Sequence, residues 1–475
     1  MAINIKRSSI IGVMFIGMLC SCKSALDLKP KTDLDASTAL TGYDNLQVAL
    51  SGVYSLVNNY KFITPYMNQV EMSTDNVEVM KAGNNATTTS IESYSFMRTS
   101  SMMDIQTWGT GYKAIYHANM VINAIPDNAA ANLLQLKGEA LFLRAFLHMQ
   151  LVQVFGKPFA QNAGANPGVP YVISTDATLL PSRNTVKEVY TLSAADFEKA
   201  ATLLTQPKAN AYANKEACWA ALAELWLNAG DNTKAISYAE KVINSGKFSL
   251  VTGTNYLTYF NNDHSAGTDK ETIFTIKSVD GQAKGFYGLG YNYTQTKYAA
   301  VSAPLLSLLN ETAGDVRLGF YTKLSTTSGD RYFTTKFIQS GNTAVSSPVV
   351  YRLADMYLIR AEANANTNPQ AALDDVNLLR TRAGISGTGL YQLANLHGRS
   401  NVLQVVLDES RIEFAFEKGR RRADLLRNGL PVVRDYTGST VPGSHINIPA
   451  TDKSMIYPIP ATEITVNPNL TQNPF

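Results

Sequence analysis

Cysteine, charge and long apolar runs are all scarce in this chain. Three cysteines, at positions 20, 22 and 218, occur in 475 residues. That is too few for the disulfide framework that holds small exported domains together. Stability must come from burial, and a chain of this length can build a large core. Charged residues make up 17% of the sequence, and 41 Lys and Arg against 38 Asp and Glu leave a formal charge of +3. A nucleic-acid binder shows a clustered basic excess instead. The histidines, at 117, 148, 264, 397 and 445, fall at no metal-ligand spacing, so no metal and no cofactor is expected. No P-loop, G-x-S-x-G or EF-hand loop is present. Gly288 and Gly290 make no dinucleotide fingerprint, because Tyr293 stands where a third glycine is needed. After residue 20 nothing reaches the about 20 apolar residues needed to cross a bilayer.

What is present begins at the N-terminus. Lys6 and Arg7 precede the apolar stretch from Ile10 to Leu19, which is the order of parts in an export signal. Leu19-Cys20-Ser21-Cys22 resembles a bacterial lipobox. Residues 1–21 are then a removed signal peptide, and Cys22 is the lipidated first residue of a single mature domain, 22–475. Several acyl chains, at about 0.8 kcal/mol per buried methylene, anchor a protein without a membrane-spanning helix. Removing Lys6 and Arg7 lowers the basic residues from 41 to 39 against 38 acidic ones, leaving about +1. Cys218 becomes the only remaining thiol.

Helical periodicity dominates. Leu136, Ala140, Leu143, Leu147, Leu151 and Val154 repeat at three- and four-residue spacing and stop at Gly156 and Pro158. A second helix spans 186–204. Residues 218–248 read as helix, turn at Gly230-Asp231, and helix. Leu222, Ala223, Trp226, Gly230 and Ala235 stand at the offsets of a tetratricopeptide-like (TPR-like) unit, with Trp226 and Cys218 expected in the core. Such a unit needs stacked neighbours. Residues 249–348 are rich in Gly, Asn, Thr, Ser and Tyr and predict long loops with short strands, where function tends to sit. Helices resume at Val350. Asn368-Pro369 opens the next one, and another runs from Val402 to Lys418, closing at Gly419. Ile456 to Phe475 is proline-rich and predicted extended. The expected fold is mostly α, a TPR-like helix-pair superhelix with long loops and a few short strands.

Three sets of segments now carry a resemblance: "VYRLADMYLIRAEA" (350–363) with "VNLLRTRAGI" (376–385); "LDESRIEFAFEKGRRRADLLRNG" (407–429) with "YPIPATEITVNPNLTQNPF" (457–475); and, in the first half, "GYKAIYHANMVINAIP" (111–126) with "LKGEALFLRAFLHMQLVQVFGKPF" (136–159). In this order they resemble the SusD/RagB family of nutrient-binding outer-membrane lipoproteins of Bacteroidetes. The resemblance implies a cell-surface, lipid-anchored protein of four TPR-like helix pairs. It captures oligosaccharide or polysaccharide, breaks no bond, and delivers its ligand to a SusC-like TonB-dependent transporter. The alternatives are a RagB-like peptide binder and, further off, a glycoside hydrolase. Glu409 and Glu413 lie one turn apart on one face, the pairing that suggests catalytic carboxylates, but the resemblance implies that the family uses this motif as framework.

Sugar capture needs flat aromatic faces and planar polar side chains. Three places offer them: Tyr66, Asp75 and Asn76 in 58–76; Arg98 and Trp108 in 94–108; and Tyr287, Tyr291, Asn292 and Tyr293 in 286–298. These are the expected ligand-binding residues. Trp108, just ahead of a helix, has a competing core reading.

Overall fold

Apolar faces that cannot stand alone stack here into a train of helices. A computed structural model of the chain describes residues 40–80, 88–97, 102–267, 269–278, 288–326 and 329–474. In chain order the helices are α1 (Gly42–Val57), α2 (Ile63–Met72), α3 (Thr88–Ser95), α4 (Met102–Ala124), α5 (Ala131–Phe155), α6 (Val186–Leu203), α7 (Lys215–Asn228) and α8 (Asn232–Ile243). Then come α9 (Ala303–Asn310), α10 (Leu353–Asn364), α11 (Pro369–Arg382), α12 (Val402–Phe414), α13 (Arg420–Arg427) and α14 (Ala461–Val466). From α4 to α8 each helix packs on the next, α8 packs on α10, and α10 packs on α11. The fold is mostly helical, as the periodicities predict.

Local chemistry explains the boundaries. At the start of α6 the Glu188 N–H donates to the Thr185 hydroxyl (3.2 Å) and the Thr185 N–H donates to the Glu188 carboxylate (2.7 Å), a complete capping box. Between α7 and α8, Gly230 takes φ +77° and Asp231 caps the second helix, while Ala223 and Ala235 are fully buried where the two helices meet. Cys218 lies in the core as expected. Trp226 is only half buried, with the Lys234 ammonium 3.8 Å from its ring centre. Asn368 caps α11 with Pro369 in its first turn.

Among the described residues eight strands pair as four antiparallel two-stranded ladders: β1 (Val77–Val79) with β3 (Ala299–Val301), β2 (Thr272–Thr275) with β6 (Val349–Arg352), β4 (Tyr321–Thr326) with β5 (Gly329–Thr334), and β7 (Val432–Asp435) with β8 (His445–Ile448). The first two ladders join residues more than two hundred and more than seventy positions apart in the chain, respectively.

Three expectations need correction. The helix from Val402 ends at Phe414, not Lys418. The Lys336 ammonium donates to the carbonyls of Glu413 (2.9 Å) and Ala415 (3.1 Å), and the Phe416 N–H donates to Glu71 (3.0 Å), so tertiary partners replace helical ones. Residues 456–474 are not extended throughout, because α14 turns directly after Pro460. The loop-rich segment also contains the helix α9.

The chain after α12 passes through positive φ at Phe416, Lys418 and Gly419. Gly419 has φ +71°, and a Cβ there would stand 2.4 Å from the Val70 side chain. Gly419→Ala is expected to destabilise the protein by about 2–4 kcal/mol, combining left-handed strain with overpacking. Urea unfolding would check this, and a loss below about 1 kcal/mol would mean that the α2 contact is slack.

Candidate functional site

Five of the expected ligand residues flank the β1–β3 ladder, Asp75 and Asn76 ahead of β1 and Tyr291, Asn292 and Tyr293 ahead of β3. Asp75 and Asn76 immediately precede β1 and are buried. The Arg421 guanidinium donates twice to the Asp75 carboxylate, at 2.8 Å each, and Arg411 lies 3.4 Å away. Burial alone would raise the Asp75 pKa, but Arg411 and Arg421 outweigh it and hold the group at about 2. Asn76 accepts from Arg411 Nε (2.8 Å) and donates to Glu71 (3.2 Å). The Ser302 N–H and hydroxyl donate to the carbonyls of Asn76 (2.8 Å) and Asp75 (2.7 Å), which fixes β3 against β1. Both residues have every polar atom engaged inward, so they are framework that places the ladder, not ligand contacts.

Just before β3 the chain makes a π-helical turn, Tyr291–Gln295, a conformation enriched at functional sites. Gly290 allows it, since a Cβ there would lie 2.3 Å from the Phe337 carbonyl oxygen. The Thr294 hydroxyl donates to the Thr334 carbonyl (2.5 Å) on β5, and the Thr343 hydroxyl donates to Gln295 Oε1 (2.7 Å). Within this turn alternate tyrosines separate. Tyr293 is 1% exposed and stacks between Tyr298 and Phe337, with centroid distances of 6.2 and 5.8 Å. Asn292 is buried as well. Tyr291 is half exposed. The turn therefore leaves Tyr291 partly exposed, while Asn292 and Tyr293, expected with it as ligand contacts, are buried below.

The turn and the strands near it carry polar groups that sequence reasoning missed. Gln295 is exposed. Arg331 on β5 lies 3.9 Å from Glu78 on β1. Burial raises the Glu78 pKa and Arg331 lowers it, the first effect being larger. No local signal reveals this pair, because β1, β3 and β5 are assembled from distant parts of the chain.

The other expected residues lie elsewhere. Tyr66 is inside α2, 3% exposed, with its hydroxyl donating to Gln153 (3.1 Å), so it is a core residue. Trp108 lies within α4, not ahead of it, packed edge-on against Phe155 at 5.1 Å. At 3% exposure it borders an apolar groove of about 490 Å³ but offers no open face. Arg98, Tyr287 and the lipidation residue Cys22 lie outside the described residues.

Glu409 and Glu413 do not face each other across a cleft. They belong to a buried cluster of five acids (Glu271, Asp315, Glu409, Glu413, Glu417) and five bases (Arg317, Lys336, Arg352, Arg380, Arg382). Arg352 lies 2.6 Å from Glu413 and 3.0 Å from Glu271, and Arg317 lies 2.5 Å from Glu409. No group of three or more metal-ligating side chains occurs among the described residues, and no described helix is long and apolar enough to cross a membrane.

Residues 291–475 match the model of the SusD family, and residues 26–227 match one described as starch-binding, associating with outer membrane. The chain is SusD-like. The SusD-like protein P2 of Formosa agariphila is 27% identical over 415 residues, covering 77% of this chain and 79% of that protein. The starch-binding protein SusD of Bacteroides thetaiotaomicron is 25% identical over 441 residues, covering 75% of each chain. A SusD superfamily structure from Bacteroides thetaiotaomicron superposes with a TM-score of 0.82 at 26% identity, covering 92% of this chain and all of that one.

Proposed function

We propose that this protein is a lipid-anchored binder at the outer membrane that captures glycan and passes it to a SusC-like TonB-dependent transporter. The observation that carries the reading is the braced turn that leaves Tyr291 partly exposed and Gln295 exposed, packed against β5, the strand that carries Arg331. An aromatic face takes the apolar side of a sugar ring, and the planar amide and guanidinium meet its hydroxyls. In this reading Tyr287 and Arg98 also contact ligand, and Cys22 carries the anchor. The starch-binding relative and the starch-binding description of the matched N-terminal model support a saccharide ligand. The model's words "associating with outer membrane" support the location. A protein partner is supported by the exposed apolar side chains Ile173, Leu179, Leu180 and Val466 around the groove beside Trp108. Capture beside a channel raises the local ligand concentration, so modest affinity suffices.

Calorimetric titration of the protein beginning at Lys23 against neutral and acidic oligosaccharides and peptides tests this. Tyr291→Ala is expected to weaken binding of the active glycan at least about tenfold, equivalent to about 1.4 kcal/mol, with unfolding unchanged. Saturable heat from peptides alone, or a Tyr291→Ala variant that binds as tightly as the parent, would sink the reading.

A further inference from the structure

A second concave surface lies away from the tyrosine turn, between α1 and the chain around 211–212 and 274–277. Its volume is about 240 Å³, and no residue of the Tyr291–Gln295 turn lines it. The floor is apolar, formed by buried Val57, Phe274 and Ile276. The rim carries Ser55, Tyr212 and Lys277, all exposed, with Tyr212 37% exposed. Among the described residues neither the Ser55 hydroxyl, the Tyr212 hydroxyl nor the Lys277 ammonium has a hydrogen-bond partner or counter-ion.

The Tyr212 ring is nevertheless held in place. Tyr54 meets it edge-on at 5.6 Å, and the Lys208 ammonium lies 4.7 Å from its centre. Both of these supports are themselves fixed. The Tyr54 hydroxyl donates to Glu139 (2.9 Å) and accepts the Ala213 N–H (2.9 Å), while Lys208 pairs with the same carboxylate at 2.5 Å. The acid behind Tyr54, Glu139, is thus neutralised, and among the described residues no carboxylate lines the pocket. What remains open is a braced aromatic ring, two unpaired hydroxyls and an unpaired cation over an apolar floor. A polar group buried without a partner is costly, whereas groups waiting in solvent are ready to exchange water for ligand.

We propose that this pocket is a second saccharide subsite and that it takes a sugar unit carrying negative charge, either a uronate carboxylate or a sulfate ester. The aromatic ring and floor take the apolar side of the sugar, Ser55 and Tyr212 bond its hydroxyls, and Lys277 pairs with its charge. The inference rests on the reading that the protein captures glycans and adds a second point of attachment with its own preference.

Calorimetry with trigalacturonate, a sulfated galactan oligosaccharide and neutral maltotriose separates the outcomes. The expected result is that at least one acidic oligosaccharide binds in low salt. That binding weakens at least tenfold in Lys277→Ala, is lost in Tyr212→Ala, survives in Tyr291→Ala, and falls as salt rises. Whether the uronate or the sulfate responds identifies the charged group. Lys277 is exposed, so its variant keeps the fold, and thermal unfolding of Tyr212→Ala checks the other. Acidic binding unchanged in both pocket variants overturns the subsite. Binding of maltotriose alone, lost in Tyr291→Ala, overturns it while leaving the glycan reading intact. No binding of any saccharide overturns both.

Discussion

Glu413→Ala is expected to lower the free energy of unfolding by about 3–5 kcal/mol, the range for removing one member of a buried ionic network. Glu413 is 2% exposed. One carboxylate oxygen meets Arg352 and Arg382, and the other accepts from Tyr256 (2.9 Å) and Arg317 (3.2 Å). Burial by itself would raise the pKa of this group, but Arg382, Arg352 and Arg317 outweigh it and hold the carboxyl well below the usual range. The cluster balances at five charges of each sign, so deleting one acid leaves an uncompensated positive charge in a low-dielectric interior. The alanine also opens space that three guanidiniums border. Chemical unfolding at pH 7 measures the effect, and a loss under about 1 kcal/mol would falsify the claim that this cluster is a stability determinant. Because the folded carboxyl pKa is depressed, the stabilisation it provides is complete above the ordinary carboxylate range and is lost as pH falls toward its folded value. The parent protein should therefore approach the variant in stability under strong acid.

A second carboxylate behaves in the opposite way. Glu71→Gln is expected to match the parent protein within about 1 kcal/mol at pH 5 and to exceed it by about 3 kcal/mol at pH 8. Glu71 is 2% exposed and has no ion pair among the described residues. Oε1 accepts from the Phe416 N–H (3.0 Å) and from Asn76 (3.2 Å), and Oε2 has no partner. Burial pushes the pKa up to about 7. The two hydrogen bonds and Lys336 oppose that rise, and Glu417 adds to it. Between the unfolded value, near 4.5, and about 7, the folded chain keeps a proton that the unfolded chain releases. Stability therefore falls as pH rises through this window and is level above it. Glutamine retains the accepting oxygen and replaces the acid proton with an amide N–H. The unpaired hydroxyls of Tyr293 and Tyr321, whose rings flank Phe416, give that N–H a polar surrounding. Urea unfolding across this range decides the matter, and parallel pH profiles for the two proteins would show that another group titrates.

The helices could be read from the sequence because their causes are local. The T-V-K-E capping box at 185–188, the Asn368-Pro369 start and the Gly230 turn each act within four residues. The same locality explains the failures. Nothing near Asp75 announces that Arg411 and Arg421, more than three hundred residues later, will occupy it. Tyr291 and Tyr293 look equivalent in a glycine-rich loop, yet the π-helical turn sends the first outward and buries the second. The run Lys418 to Arg422 reads correctly as structural because alternating apolar residues upstream of it demand burial. The end of α12 was hidden, since it is set by Lys336 and Glu71 from other parts of the chain.

Arginines from the last quarter of the chain close over its first third. Arg434 donates to the carbonyls of Met72 (2.7 Å), Thr74 (2.8 Å) and Tyr94 (2.6 Å), and Arg422 donates to Gln153 (2.7 Å). The Tyr457 N–H donates to Val154 (3.0 Å), and Asn473 donates to Phe155 (2.7 Å). Synthesis proceeds from the other end. A nascent chain that has emerged only as far as α8 carries the α2 and α5 carbonyls with no cations to receive them, and the Asp75 carboxylate with no guanidinium. Such a chain can form helices quickly but cannot seal its interior, because the sealing contacts have the longest sequence separations in the molecule. The order of manufacture therefore keeps the polypeptide unfinished until nearly its last residue has been made.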